Sequence, residues 1–272
     1  MALIEDQAIC VRTWDWSETS QTAVMLTREH GMIRVLAKGS KRERSAFSGG
    51  LEVCTQGGMA AIVKPSSELA LMTVWDLVQP MLGVRKHLKA YHCALLGADL
   101  IPRLIQDHDP HAEVYDALYA LIKFCDQVGV GGGRDVQAGE DQVEAVLAWF
   151  LWTVLVAVGA MPIVDHDVLT GDQLTQADVY GFSPQLGGIT QDPITSRDES
   201  SGGTNAGGEG VWRIRAQTVE MMNALGERPG VERFLERPFD QNLRLSRLLG
   251  SYIRERVGTD IPSMKWLLGS DG

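Results

Sequence analysis

Arg28, Arg34, Lys38, Lys41, Arg42 and Arg44 fall within residues 28–44, opposed only by Glu29 and Glu43. Side chains of this kind neutralise phosphates and release condensed counterions, the main source of affinity for a nucleic-acid backbone. Strand alternation over residues 32–38 puts Arg34 and Lys38 on one face. The segment Lys38-Gly39-Ser40-Lys41-Arg42-Glu43-Arg44 then reads as a basic loop. Trp14, Trp16 and Phe47 lie near it in sequence and are candidates for stacking on exposed bases. The competing reading is a solvated charged loop with no ligand.

A second basic set lies near the C-terminus. Arg244, Arg247, Arg254 and Arg256 alternate with Leu243, Leu245, Leu248, Leu249, Tyr252 and Ile253. An apolar groove rimmed by Arg244, Arg247 and Arg254 would hold an acidic peptide tail or a phosphate. An amphipathic helix with its charged face in water explains the same pattern.

Other chemistry finds little support. Asp107-His108-Asp109-Pro110-His111 and Asp165-His166-Asp167 have metal-ligand residue types, but both fall in loops beside helix ends. There, aspartate and histidine serve as caps and turn residues. Cys10, Cys54, Cys93 and Cys125 are far apart with no CxxC pair, which points to intracellular thiols and gives no zinc site or disulfide framework. Gly39-Ser40-Lys41 lacks the first glycine of a phosphate loop, and Gly129-Val130-Gly131-Gly132-Gly133 does not follow a strand. Neither GxSxG nor HExxH occurs. The expectation is a protein that is not an enzyme and carries no cofactor. A metal-dependent hydrolase built on the Asp-His-Asp groups ranks last.

The elements that would position these residues follow from composition and period. The chain has 272 residues, 44% hydrophobic and 22% charged, with a net charge of −10. That rules out disorder throughout and any coat of positive charge, so nucleic acid would have to meet a local patch. Charge is unevenly spread: residues 1–90 carry 11 basic and 9 acidic side chains, and 211–272 carry 10 and 8. Residues 91–125 carry 2 and 5, and the strongly acidic 126–210 carry 2 and 13. Residues 145–164 are free of charge, but Gly159 and Pro162 end the helix early and acids flank it, so a buried core helix is expected rather than a membrane span. The acidic start MALIEDQAIC lacks the basic start and apolar run of a secretory signal, and a cytoplasmic protein is expected.

Strand runs are read at residues 8–14, 22–27, 32–38, 51–55, 59–64 and 69–77, five or six in all. Short strands joined by tight turns suit a small barrel that closes its own edges. After Pro80 the period becomes helical, with helices at 88–105, 112–128 and 140–158 around a loop at 129–139. Residues 161–192 show no clear period, 196–210 read as a disordered surface loop, and 211–225 and 239–257 read as two more helices. The expected domains are 1–80, a barrel, and 81–272, mainly helical, with 161–210 a loop-rich acidic insertion.

Leu26-Thr27-Arg28-Glu29-His30-Gly31, the strand that follows, Lys38-Gly39 with its basic loop, Phe47 and Gly49-Gly50-Leu51-Glu52 resemble the N-terminal region of the RecO family, bacterial DNA-repair and recombination mediators. Residues 8–13 with Trp16-Ser17-Glu18-Thr19 fit the same pattern. Residues 155–162 resemble the family's central helix, ending in a glycine and a proline. Phe182-Ser183-Pro184 with Gly187-Gly188 resembles a later motif. The resemblance implies an α+β multidomain chain: an OB-fold β-barrel followed by a mainly α-helical domain. It implies binding to single- and double-stranded DNA, strand annealing, and partnership with RecR and single-stranded-DNA-binding protein in loading a RecA-type recombinase. The family's basic barrel residues carry over onto Lys38, Lys41, Arg42 and Arg44, with Arg12, Arg28 and Arg34 beside them. Many members have a four-cysteine zinc ribbon; here the corresponding places fall near Asp167, Thr170, Gln191 and Ile194, none of them cysteine, so no zinc is expected. The alternative is a protein–protein adaptor of a repair complex that does not itself bind DNA.

Overall fold

The computed structural model describes residues 2–42, 46–47, 50–64, 66–131, 136–192, 210–236 and 242–268. By compactness the chain divides into two units, Met1–Ala157 and Val158–Gly272.

The first unit opens with five strands: β1 (Ala2–Asp15), β2 (Gln21–Thr27), β3 (Gly31–Ala37), β4 (Gln56–Val63) and β5 (Ala70–Gln79). They close into a barrel in the order β1-β2-β3-β5-β4, with β4 returning to β1. All pairings are antiparallel except β3 with β5. This five-stranded order is the OB-fold topology, with β3 and β5 meeting over three pairs, Val35–Ala37 against Ala70–Met72. Alternation supplies the core: Ala8, Cys10, Ala23, Met25, Ile33, Val35, Ala37, Met59, Ala61 and Met72 point inward around Trp75. Small alanines on facing strands make room for the one large indole.

Two strand boundaries differ from the sequence expectation. β1 runs for 14 residues because its N-terminal half pairs with β4 and its C-terminal half with β2. The run expected as a strand at 51–55 is a turn ending in a bulge. Cys54 has φ 68, its N–H donates to Cys10 O at 2.9 Å, and Cys10 N–H donates to Thr55 O at 3.0 Å. Two residues therefore face one, the geometry in which glycine usually takes the first place.

Helices α1 (Leu88–Leu104), α2 (Ala112–Val130) and α3 (Val136–Ala157) complete the unit, α1 packing on β1 and α2 on β2. The loop expected at 129–139 is shorter, since α2 reaches Val130 and α3 starts at Val136. In α3 the charge-free stretch is buried: Val146, Leu147, Phe150, Leu151 and Val154 have no exposure. No helix among the described residues is long and apolar enough to cross a membrane.

The second unit holds a three-stranded sheet, β6 (Val179–Ser183), β7 (Gly188–Thr190) and β8 (Trp212–Arg215), in the order β7-β6-β8. Helices α4 (Ala216–Gly226), α5 (Val231–Leu235), α6 (Asn242–Val257) and α7 (Lys265–Leu268) follow. Phe182 stacks on Trp212 (centroids 5.7 Å apart) and meets Tyr252 edge-on at 5.3 Å. The insertion is thus organised by a sheet. The stretch read as a helix from 211 begins as β8, because its WRIR alternation pairs with β6. Apart from Gly210, the loop 196–210 lies outside the described residues.

Candidate nucleic-acid interface

Strand register sorts the basic residues of the barrel. Arg12 on β1 pairs with Val24 on β2, and Val24 with Arg34 on β3, so the three share one outward row. The next row is Trp14, Thr22 and Leu36, and Lys38 lies two residues beyond Leu36. Between them Val35 and Ala37 are fully buried, so Arg34 and Lys38 share a face, as alternation predicts.

The first row is covered by the helices of its own unit, and Val24, Leu26 and Met32 are at most 1% exposed. Its arginines meet aspartates there. Arg12 Nη2 lies 2.7 Å from Asp99 on α1, and Arg34 Nε lies 2.8 Å from Asp107 in the α1–α2 connection. Arg28, in the β2–β3 turn, grips Asp116 on α2 with Nε and Nη2, both at 3.0 Å. These three predicted DNA ligands therefore have their charge neutralised within the unit, where they tie helices to the barrel.

The far end of the same face differs. Gly39 (φ 71) donates its N–H to Ser20 Oγ at 3.1 Å, Ser40 Oγ donates to Gln21 Oε1, and Lys41 N–H donates to Thr19 O at 3.1 Å. Gln21 also binds Leu51 through both its amide groups, at 3.1 Å each. These bonds staple residues 38–42 to the β1–β2 turn. Lys38 and Arg42 are exposed and form no ion pair among the described residues, whereas Lys41 Nζ pairs with Asp15. On the same end, Trp14 is 47% and Trp16 62% exposed, and the Arg12 guanidinium lies 5.6 Å from the Trp14 ring centre. Phe47 is withdrawn from the stacking set, because it is 5% exposed and belongs to the barrel core. Arg44 lies outside the described residues.

The Asp-His groups are absorbed by local bonds. His111 sits between Asp109 (3.0 Å) and Glu113 (3.3 Å), and His166 bonds its neighbour Asp165 at 2.8 Å. Among the described residues no group of three His, Cys, Asp or Glu side chains is arranged so that it could hold a metal ion. All four cysteines are buried thiols, and burial pushes each pKa up, that of Cys54 to about 12.

Residues 1–81 match the family model Recombination protein O N terminal, and residues 85–265 match Recombination protein O C terminal. The chain belongs to the RecO family. Among curated relatives, the DNA repair protein RecO of Rhodopirellula baltica is 34% identical over 122 residues, 45% of each chain. That of Anaeromyxobacter sp. (strain Fw109-5) is 30% identical over 185 residues, 68% of each chain. The RecO of Bacillus subtilis is 28% identical over 134 residues, covering 49% of this chain and 51% of its own.

Asp167, near one of the places where the resemblance would put a ribbon cysteine, is 4% exposed. Its Oδ1 accepts N–H bonds from Leu169 (2.7 Å) and Thr170 (3.3 Å), and its Oδ2 accepts from Gln191 N–H (2.7 Å) and Thr190 Oγ1 (3.2 Å). Burial raises the Asp167 pKa, but the donors of Gln191, Leu169, Thr170 and Thr190 outweigh it and lower the pKa overall. N–H and O–H groups point at the Asp167 carboxylate, with Thr170 and Gln191 taking part as donors, so it cross-links residues 167–170 to residues 190–191 with no thiolate beside it among the described residues. Ile194 lies outside the described residues.

In the second unit, Arg244 and Arg247 line a groove of about 330 Å³ with Trp212, Ile214 and Leu248. Arg247 Nε also donates to Leu267 O at 2.7 Å. Arg254, predicted with them, is not part of the groove lining. Arg213 and Arg215 of β8 are, and sequence reasoning missed them. Their signal was the alternation of Trp212-Arg213-Ile214-Arg215, hidden by reading the segment as helix.

Proposed function

We propose that this RecO-family chain binds single- and double-stranded DNA through the loop end of its barrel and promotes annealing without covalent chemistry. One observation carries the reading. Lys38 and Arg42 stand exposed and without an ion pair among the described residues, at the same end of the barrel as Lys41, Trp14 and Trp16, while Arg12, Arg28 and Arg34 are already neutralised. Cations there lower the repulsion between two phosphate backbones, and the indoles offer π-faces to unstacked bases. The stapled loop fixes the cations before DNA arrives, so little ordering cost falls on binding.

The same proposal extends to partners: RecR, single-stranded-DNA-binding protein and, through them, a RecA-type recombinase. The arginine-lined groove of the second unit has the charge and apolar floor to accept an acidic tail. The work needs no metal or cofactor, and the setting is the bacterial cytoplasm.

The test is anisotropy of a labelled single-stranded oligonucleotide across salt concentrations. Three cations predict a log–log salt slope of about −2. Lys41→Glu with Arg42→Glu should weaken binding and flatten that slope. Unchanged affinity in the double variant would remove the site. No binding by the wild-type protein even at low salt would favour the adaptor reading, which the neutralised row of Arg12, Arg28 and Arg34 supports.

A further inference from the structure

We propose that the outer face of β1, β4 and β5 is a docking slot for a lysine or arginine side chain of a partner protein. Register builds the slot. Glu5, Ala60 and Val74 form one outward row across the three strands, and Gln7, Gly58 and Asp76 form the next. Adjacent strands lie about 4.8 Å apart, so β1 and β5 stand about 10 Å apart with only Gly58 and Ala60 between them. The result is a cleft of about 530 Å³.

Gly58 makes the furrow without being required by the fold. A Cβ there would meet only Gln7 Nε2, at 3.8 Å, whereas at Gly57 it would sit 2.2 Å from Asp76 O. The second glycine of the pair thus leaves an opening that a larger side chain would fill without a clash.

Charge names the occupant. Glu5 and Asp76 are exposed on opposite banks and form no ion pair among the described residues. In the same unit Asp15, Glu52, Asp99, Asp107 and Asp116 each hold a lysine or arginine. Asp6 is already engaged, accepting from Glu29 N–H and His30 N–H and lying 2.8 Å from His30 Nδ1. Val74 is 43% exposed and gives the aliphatic stem of a long cation an apolar wall. The two carboxylates repel phosphate, so the occupant is a protein and the slot is independent of the DNA reading.

The experiment titrates the full chain into a fluorescein-labelled peptide, Gly-Ser-Arg-Leu-Arg-Ser-Gly. Gly58→Thr, which leaves net charge unchanged, should weaken binding at least tenfold while oligonucleotide binding stays the same. Glu5→Gln with Asp76→Asn, both at exposed positions, should do likewise and serves if Gly58→Thr does not fold. Equal peptide affinity in wild type and variants overturns the slot, showing attraction to net charge alone. So does failure of the wild-type protein to bind. A concentration-dependent dimer in sedimentation, lost in Gly58→Thr, would make the occupant a second copy and overturn the assignment to a partner.

Discussion

Two sets of cations lie on one face of the same barrel, a few residues apart in sequence. Arg12, Arg28 and Arg34 lie under or beside α1 and α2 and each meets an aspartate. Lys38, Lys41 and Arg42 lie past the last row that the helices cover, and among the described residues only Lys41 has a carboxylate partner. The basic cluster of the sequence is thus two groups in different surroundings, one tying helices to the barrel and the other exposed at its loop end. The outer face of strands 2 and 3 is the usual ligand surface of an OB-fold. Here the helical segment occupies part of it, leaving the loop end.

The sharpest contrast to half-exposed ion pairs comes from a buried carboxylate. Replacing Asp167 with Ala leaves four donors unpaired and should destabilise the second unit by about 3–5 kcal/mol, read by thermal unfolding. Its lowered pKa makes this contribution complete above the unfolded carboxylate value, about 4, and lost as pH falls through the lower folded value. Wild-type stability should therefore drop between pH 5 and pH 2 by more than that of Asp167→Asn. Equal acid sensitivity of the two proteins would remove Asp167 as the cross-link.

At the rim, Lys41→Glu with Arg42→Glu should cost about a hundredfold in oligonucleotide affinity at moderate salt and leave thermal stability unchanged. Trp16→Ala should cost about 1–2 kcal/mol of single-strand binding, with a smaller effect on duplex, whose bases are already stacked. The docking row should behave in the opposite way. Each of Asp99→Asn, Asp107→Asn and Asp116→Asn should lower stability by no more than about 1 kcal/mol, because the arginines are 40–45% exposed. Each also frees an arginine, so oligonucleotide binding should stay level or tighten slightly. A large loss of affinity in these variants would merge the two sets into one.

Much of the architecture was legible because it rests on local pattern. Alternation in β2 and β3 and the 3/4 spacing of α1 and α2 are properties of neighbouring residues, and any fold that buries one face must respect them. The fate of single residues was not local. Phe47 follows a basic loop and reads as a surface aromatic, yet closure of the barrel draws it inside. The WRIR run of β8 reads as the start of a helix until β6 pairs with it. Cys54 takes a left-handed turn that no β-rich pentapeptide announces.

The sequence by itself determined that a small barrel precedes helices, that its basic residues concentrate in 28–44, and that ribbon cysteines are missing. Each of these depends on residue type and order alone. Tertiary structure decided which cations remain available. The partners Arg12 and Asp99 lie 87 residues apart, Arg28 and Asp116 lie 88 apart, and Arg34 and Asp107 lie 73 apart. Charge is written into the chain, but neutralisation depends on distance, and distance across such separations exists only once the helices have packed on the barrel.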